Sequence, residues 1–274
     1  MEKEKKPILT KESLRFPNRK KSSHKGDNGR VLIVGGSEDY VGCLVLAGLA
    51  ALRSGADWVT VAAPEKVAWA VNCYTPELIT KKFDCGYFSG EQSKGIVELS
   101  KEFDAVLIGN GLGLRDETKA FVKDVVGSVR KPLVIDAEGV KALRVQDVHN
   151  AIFTPHKREF EVLLKNSKVK DVKDIIDNNI IVVKGAVDKI ISKDKVFYNK
   201  TGNEGMTKSG TGDVLAGLCV GFLAQSGNLL QSAVNAVYIN GAIGDLLKKK
   251  KGFAYIAGDM VNEIKELRRL LQKS

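Results

Sequence analysis

Short runs of consecutive apolar residues alternate along the chain with longer stretches in which apolar positions recur every three or four residues. Val31-Leu32-Ile33-Val34-Gly35-Gly36 is one such run, closed by a glycine turn. Residues 42–53 behind it are small and apolar with helical spacing, and Gly55 stops them. Further strands are predicted at 58–62, 105–108, 132–136, 151–153 and 180–184, with helical segments between most of them. Strands that are apolar at consecutive positions suit a parallel sheet covered on both faces. Their alternation with helices predicts a doubly wound α/β fold with right-handed crossovers. The last third changes character: residues 189–192 and 195–198 read as a hairpin, and three helices follow from Thr211. No internal repeat or low-complexity linker divides the chain. The expected organisation is a basic arm over 1–25 and a single domain over 26–274.

Composition narrows the setting. At 274 residues and 43% hydrophobic content the chain can bury a sizeable core. No apolar run is long enough to span a membrane, and the charged N-terminus lacks the apolar stretch of a signal peptide. Cys43, Cys73, Cys85 and Cys219 form no C-x-x-C pair and sit in mostly apolar contexts, so buried thiols, and not disulfides or a metal site, are expected in a reducing, cytoplasmic setting. The net charge of +10 is terminal. Residues 1–30 hold ten Lys/Arg against four Asp/Glu, residues 248–274 hold eight against three, and the body between is nearly neutral. That distribution argues against nucleic acid as a partner, because a binder carries its basic stripe on the folded face. Lys248-Lys249-Lys250-Lys251 reads as a solvated helix end, favoured by the C-terminal dipole.

The chemistry concentrates in Gly205-Met206-Thr207-Lys208-Ser209-Gly210-Thr211-Gly212-Asp213, which runs into an apolar helical pattern. The amides of Gly210, Thr211 and Gly212 fall at a helix N-terminus, where unpaired N–H groups and the helix dipole favour an anion. Asp213 is then a carboxylate beside a phosphate site. A purely binding role is disfavoured there by repulsion; a base that takes a proton from a hydroxyl attacking the phosphate is not. Taken alone, G-T-G-D reads equally as a glycine-rich helix entry with Asp213 complementing the dipole.

In an open α/β sheet, ligands collect beyond the C-terminal ends of the strands. Polar and glycine-rich signals fall at five such ends: Gly35-Gly36-Ser37, Gly109-Asn110-Gly111-Leu112-Gly113, Asp136-Ala137-Glu138, Thr154-Pro155-His156-Lys157-Arg158-Glu159 and Lys184-Gly185-Ala186. Singly, each is turn chemistry: His156 a capping residue, Glu159 a first-turn carboxylate, Lys184 a solvated strand end. Together on one edge they outline a site.

At this point the residues resemble a known family. G-T-G-D-V-L-A-G resembles the signature of ribokinase-like kinases. The fuller set is similar to the NAD(P)H-hydrate dehydratases, whose pattern joins G-G-S…Y-x-G-A, G-P-G-L-G, T-P-H-x-x-E-F, a K-G strand end and G-N-x-x-M-x-x-x-G-T-G-D. The matching residues run from Gly35 through Tyr40, Cys43, Gly109 to Gly113, Thr154 to Phe160, Lys184-Gly185 and Gly202-Asn203 to Asp213, within about 26–247. Cys43 stands where the pattern has alanine, Asn110 where it has proline and Ser209 where glycine is common; Asp136-Ala137-Glu138-Gly139 loosens D-A-D-A. Many relatives also carry an epimerase domain ahead of this one. Only about 25 residues precede the match here, so the expectation is that any epimerase is a separate chain.

The resemblance implies a ribokinase-like three-layer sandwich and a lyase that begins as a kinase. Its substrate is hydrated NADH or NADPH (NADHX or NADPHX), its phosphoryl donor ADP or ATP, and its metal Mg²⁺. It implies Asp213 as base, with the Gly210, Thr211 and Gly212 amides holding the transferred phosphoryl group. By the same resemblance Cys43, Gly111, Gly113 and His156 line the hydrated cofactor's pocket. Lys184, Gly185, Ala186, Val187, Asp188, Asn203 and Gly212 contact the donor nucleotide, and Glu159 orders hydrated Mg²⁺. A homo-oligomer, tetrameric in the family, is implied as well. Two alternatives stay open: a small-molecule kinase on the same fold, acting on a vitamin precursor or sugar alcohol, and more distantly a nucleic-acid-binding protein using the basic ends.

Overall fold

The computed structural model of the protein describes residues 7–272; the first six residues of the expected basic arm lie outside them. Nine strands form one sheet: β1 (Arg30–Val34), β2 (Trp58–Pro64), β3 (Ile79–Phe83), β4 (Ala105–Ile108), β5 (Leu133–Ile135), β6 (Ala151–Phe153), β7 (Ile180–Val183), β8 (Asp188–Ile191) and β9 (Val196–Asn199). Their spatial order is β3-β2-β1-β4-β5-β6-β7-β8-β9. The first seven pair in parallel, and β8 and β9 continue the sheet as the antiparallel hairpin expected from sequence. Reversal of the order between β1 and β4 opens a crevice at the strands' C-terminal ends.

Side chains alternate across the sheet with period two. Val31 and Ile33 of β1, Leu107 of β4, Val134 of β5 and Ile152 of β6 enter one core. Leu32, Val34, Ile108, Ile135 and Phe153 enter the other. The first core is closed by α1 (Gly42–Ser54), α7 (Thr211–Ser226), α8 (Leu229–Lys251) and α9 (Ala257–Gln272). The second lies under α3 (Gly90–Ser100), α4 (Asp116–Ser128), α5 (Ala137–Ala142) and α6 (Lys157–Ser167). Helix α2 (Glu65–Tyr74) flanks β2 and β3. The result is the three-layer α/β sandwich. The sequence reading passed over β3, because Ile-Thr-Lys-Lys-Phe is an outer strand with no buried side chain and hence no apolar run.

Helix α7 is buried from Val214 to Leu223, as an apolar-all-round helix must be. It lies so close to α1 that a Cβ on Gly217 would collide with the Ala47 carbonyl, and one on Gly221 with Ser54. Small residues on both helices set that distance and hence where the start of α7 falls. Residues 7–19 of the basic arm are laid on the domain. The Leu9 amide donates to the Tyr198 carbonyl at 2.8 Å, Arg15 exchanges backbone hydrogen bonds with the Asn235 side chain, and Phe16 packs against Phe222.

Replacing Gly217 with valine should therefore push α7 off α1 and lower the unfolding free energy by about 3 kcal/mol, an overpacking cost. Chemical denaturation measures it, and an unchanged midpoint would contradict the close approach.

Candidate active site

The segment before α7 is built to present its first turn. Asn203 caps a short 3-10 turn (Glu204–Thr207) by accepting from the Gly205 amide at 3.0 Å. Asp245 of α8 holds the same segment through the Gly202 amide at 2.9 Å and the Asn203 amide group at 3.1 Å. Gly210 then enters α7 with φ +90°, and a Cβ there would meet Leu46 at 2.7 Å and Ala257 at 2.8 Å, so no other residue fits. Thr211 turns its hydroxyl away, donating to the Met206 carbonyl at 2.7 Å. No side chain caps the helix. The Thr211 amide points at the Lys208 carbonyl at 3.5 Å; those of Gly212 and Asp213 have no intrahelical acceptor.

Asp136 is the hub of the site. It ends β5 with 3% of its surface exposed. Its Oδ1 accepts from Thr154 Oγ1 at 2.7 Å and Lys184 Nζ at 3.0 Å, and its Oδ2 accepts from Asn110 Nδ2 at 3.0 Å. The same Asn110 nitrogen donates to Asp213 Oδ1 at 2.6 Å. The ends of β4, β6 and β7 thus meet on the carboxylate that ends β5, and Asn110 links it to the start of α7. Gly109 permits it: at φ +130° it lies so close that a Cβ would overlap the Asp136 carbonyl oxygen. Ala137, next in chain, sits at φ +47°, a left-handed conformation uncommon for alanine that lets the chain leave the strand sideways.

Charges in this cluster act on one another. Burial, and then repulsion from Asp136, push the Asp213 carboxyl up to about 6 despite the Asn110 hydrogen bond and Lys184. For Lys184, burial works against the ammonium, but Asp136, Glu159 and Asp213 outweigh it and hold it charged above its ordinary range. A Cβ on Gly212 would stand 3.4 Å from Lys184 Nζ, so this glycine leaves the ammonium room beside the helix start. Cys43 is kept as a neutral thiol by burial and by the nearby Asp213 charge.

At the end of β6, His156 caps α6: its Nδ1 accepts from the Glu159 amide at 3.2 Å while Glu159 Oε2 accepts from the His156 amide at 2.9 Å. Glu159 is 5% exposed, not the exposed first-turn residue it would be alone; its Oε1 lies 3.4 Å from His156 Nε2 and 3.8 Å from Lys141 Nζ. The Lys184 amide donates to the Pro155 carbonyl at 2.8 Å, setting His156 and Lys184 side by side. Asp188 closes the turn from β7 to β8 by accepting from the Gly185 amide at 3.0 Å and from Asn199 at 3.1 Å, and burial raises its carboxyl. Ala186 and Val187 cross that turn exposed.

A cavity of about 1410 Å³ opens here. Its walls include Asp136, His156, Lys184, Asn203, Gly212 and Asp213. Gly185, Ala186, Asp188, Gly210 and Thr211 also border it. Cys43, Gly111 and Gly113 do not. A Cβ on Gly111 would meet Cys43 Sγ at 2.7 Å and Tyr40 at 2.8 Å, so these three residues lie together, with Tyr40 60% exposed; Gly113 faces open space. Lys248 and Lys249 border the cavity, so the first half of the lysine run is not merely a solvated helix end. Four members of the site are not predicted as site residues from sequence: Asp136, Asn110, Thr154 and Asp245. Asp136 stood in a noted strand-end signal, and Asn110 was noted as a departure from a pattern. Asp245, inside a helical stretch, gave no signal.

The comparisons with known proteins bear on this geometry. Residues 31–266 match a family model described as NAD(P)H-hydrate dehydratase. The chain belongs to the NAD(P)H-hydrate dehydratase family. It is 40% identical over 258 residues to the bifunctional NAD(P)H-hydrate repair enzyme Nnr of Methanocaldococcus jannaschii, covering 93% of this chain and 51% of that protein. The chain thus spans about half the length of that curated relative. It is 34% identical over 262 residues to the ADP-dependent (S)-NAD(P)H-hydrate dehydratase of Nitrosopumilus maritimus, covering 91% of each. The Bacillus subtilis ADP/ATP-dependent NAD(P)H-hydrate dehydratase, co-crystallised with ATP and Mg²⁺, superposes with a TM-score of 0.81 at 26% identity, covering 97% of this chain and 99% of that one. The ribokinase-like fold expected from sequence is the fold found.

A carboxyl raised on folding makes the native state bind a proton the unfolded chain has released, so stability falls as pH rises from about 4 to about 6 and is level above. Asp213→Asn removes that penalty. The variant should be more stable than the native protein at pH 7 by about 2–3 kcal/mol, with the gap closing as pH falls toward 4. Urea denaturation at several pH values measures this; a gap independent of pH would contradict the raised carboxyl.

Proposed function

We propose that the chain repairs hydrated NADH or NADPH, using ADP or ATP to phosphorylate the added ring hydroxyl and then losing phosphate. One observation carries the reading: a carboxylate tuned to about 6 stands at an uncapped helix N-terminus on the wall of a large cavity. A base of that strength is mostly ionised at neutral pH yet basic enough to take a proton. The names of the relatives support the substrate and the donor.

Asp213 orients the substrate hydroxyl and accepts its proton as the oxygen bonds to the donor's terminal phosphorus. The bond from that phosphorus to the donor's bridging oxygen breaks, and the shortened nucleotide departs. The Gly212 and Asp213 amides and the Lys184 ammonium face the charge on the moving phosphoryl group. Phosphate, a better leaving group than hydroxide, is then expelled by the ring nitrogen's lone pair. The departing phosphate takes a proton from the neighbouring ring carbon, and the electrons of that C–H bond restore the double bond. The cavity wall of Lys184, Gly185, Ala186 and Asp188, with Asn203 and Gly212, suits the nucleotide; Val187, expected among them, does not border it. Cys43, Gly111 and Gly113 remain the candidates for the hydrated cofactor; His156, expected with them, borders the cavity beside Lys184 instead.

Asp136, Glu138, Glu159 and Asp213 outnumber Lys141 and Lys184 around the strand ends, a surplus that fits a cation arriving with phosphate. Among the described residues no three His, Cys, Asp or Glu side chains gather to ligate a metal directly. The donor chemistry therefore fits a Mg²⁺ that keeps its waters, ordered from outside by Glu159. Such an ion supplies charge neutralisation for the donor's phosphates. Free cysteines and the absence, among the described residues, of a helix able to cross a membrane accord with a cytoplasmic enzyme. A homo-oligomer and an epimerase acting on the other hydrate epimer belong to the same reading.

Incubated with hydrated NADH or NADPH, Mg²⁺ and either nucleotide, the protein should restore the near-ultraviolet absorbance of the dihydronicotinamide and release equimolar phosphate. Without nucleotide nothing should happen, since hydroxide is a far poorer leaving group than phosphate. Asp213→Asn should lower turnover about 100- to 10,000-fold while hydrate binding persists. A vitamin or sugar alcohol stably phosphorylated, with neither hydrate converted, would replace this reading by the kinase one.

A further inference from the structure

Asn110 is buried completely, yet its side-chain oxygen Oδ1 has no hydrogen-bond partner. Its amide nitrogen has two, and both are carboxylates: Asp213 Oδ1 at 2.6 Å and Asp136 Oδ2 at 3.0 Å. The amide cannot be turned over, because that would set Oδ1 against both carboxylates. The backbone is fixed as well. The Asn110 carbonyl accepts from the Gly36 amide at 2.8 Å, binding the end of β4 to the end of β1. This chain has the amide at a position where the similar family pattern has proline, a residue without a side-chain donor.

We propose that Asn110 is a positioning residue of the reaction centre: its one amide nitrogen, shared between Asp213 and Asp136, orients the base toward the substrate hydroxyl and lets two neighbouring carboxylates stand ionised together. The charged and titratable groups facing Asp213 are Asp136 from the end of β5, Glu138 from α5, Lys184 from the end of β7 and Cys43 from α1. Asp136 and Glu138 oppose its negative charge, while Lys184 and the Asn110 hydrogen bond favour it. Lys184 bonds to Asp136, not to Asp213, so Asn110 is the side chain seen to bond Asp213 directly. The orphaned Oδ1 is the cost of keeping both N–H groups turned toward the carboxylates. In the reaction Asn110 gains and loses no proton; the hydroxyl proton passes to Asp213.

The inference rests on Asp213 being the base of the proposed reaction, and its test separates the two. Removing the donor with Asn110→Ala or Asn110→Leu should move the acid limb of kcat/KM upward by about one pH unit or more, because the ionised carboxylate loses its hydrogen bond. A loss of rate in folded variants with the limb unmoved would show Asn110 to be structural and overturn the proposal. In the unsubstituted protein the Asn110 side-chain amide resonances should titrate with a midpoint near that of the acid limb, and Asp213→Asn should abolish that step. A flat Asn110 response across the pH range also overturns it, even where neither Asn110 variant folds. If the protein converts no hydrate at all, the proposed function falls, while the resonances still report whether Asn110 and Asp213 are coupled.

Discussion

The arrangement at the sheet's edge depends on one buried carboxylate. A charge removed from water must be met by donors, or it is expelled or neutralised. Asp136 is met by a hydroxyl from the end of β6, an ammonium from the end of β7 and an amide from the end of β4. Each donor comes from a different strand, so the requirement that the charge be satisfied is also a requirement that four strand ends hold register. The glycine at the end of β4 and the left-handed alanine after Asp136 are local departures that this demand explains. With its own strand end pinned, each donor arrives without a search through rotamers.

The same charge gives the neighbouring carboxyl its character. Asp213 sits at a helix start, where dipole and open amides favour a negative group and would by themselves make a weak base. Burial and the repulsion of Asp136 act in the opposite direction and prevail. A base useful near neutrality thus results from two opposed influences, neither of which appears in G-T-G-D. It comes from the placement of β5 beside the start of α7, which depends on how closely α7 packs on α1.

Much of the sheet was legible because parallel strands covered on both faces must be apolar at successive positions. Strands β1, β2, β4, β5, β6 and β7 carry that mark, and β3 does not, being an outer strand with its side chains half in water. The helix start was legible because two glycines and an aspartate ahead of an apolar helical pattern mark a helix entry, whereas that spacing alone left the role of Asp213 open. Asp136, Asn110 and Asp245 were not legible as site members, since each acts across the fold, on partners tens of residues away. Asp136 had been set among turn signals; only the sheet order, which brings β4, β5, β6 and β7 into sequence, turns those signals into a network. Glu159 reads as a first-turn carboxylate from sequence and becomes a buried one where α6 packs against α5, whose Lys141 lies 3.8 Å from it.

Asp213 also marks a boundary. The large cavity includes it, while Cys43, which feels the Asp213 charge, and its neighbour Gly111 lie outside the cavity. A group that borders a cavity and also neighbours residues outside it is suited to act between two ligands, not at the bottom of one pocket. On the proposed reading the donor nucleotide enters from the cavity and the hydroxyl-bearing ring from the Tyr40 side, so that the phosphoryl group crosses at the helix start. Phosphoryl transfer needs that opposed approach, because attacking and leaving oxygens stand roughly in line through phosphorus. A single deep pocket would hold both oxygens on one side of the helix start. The sheet topology avoids this by placing β1 with α1 on one side of the start of α7 and β6 with β7 on the other.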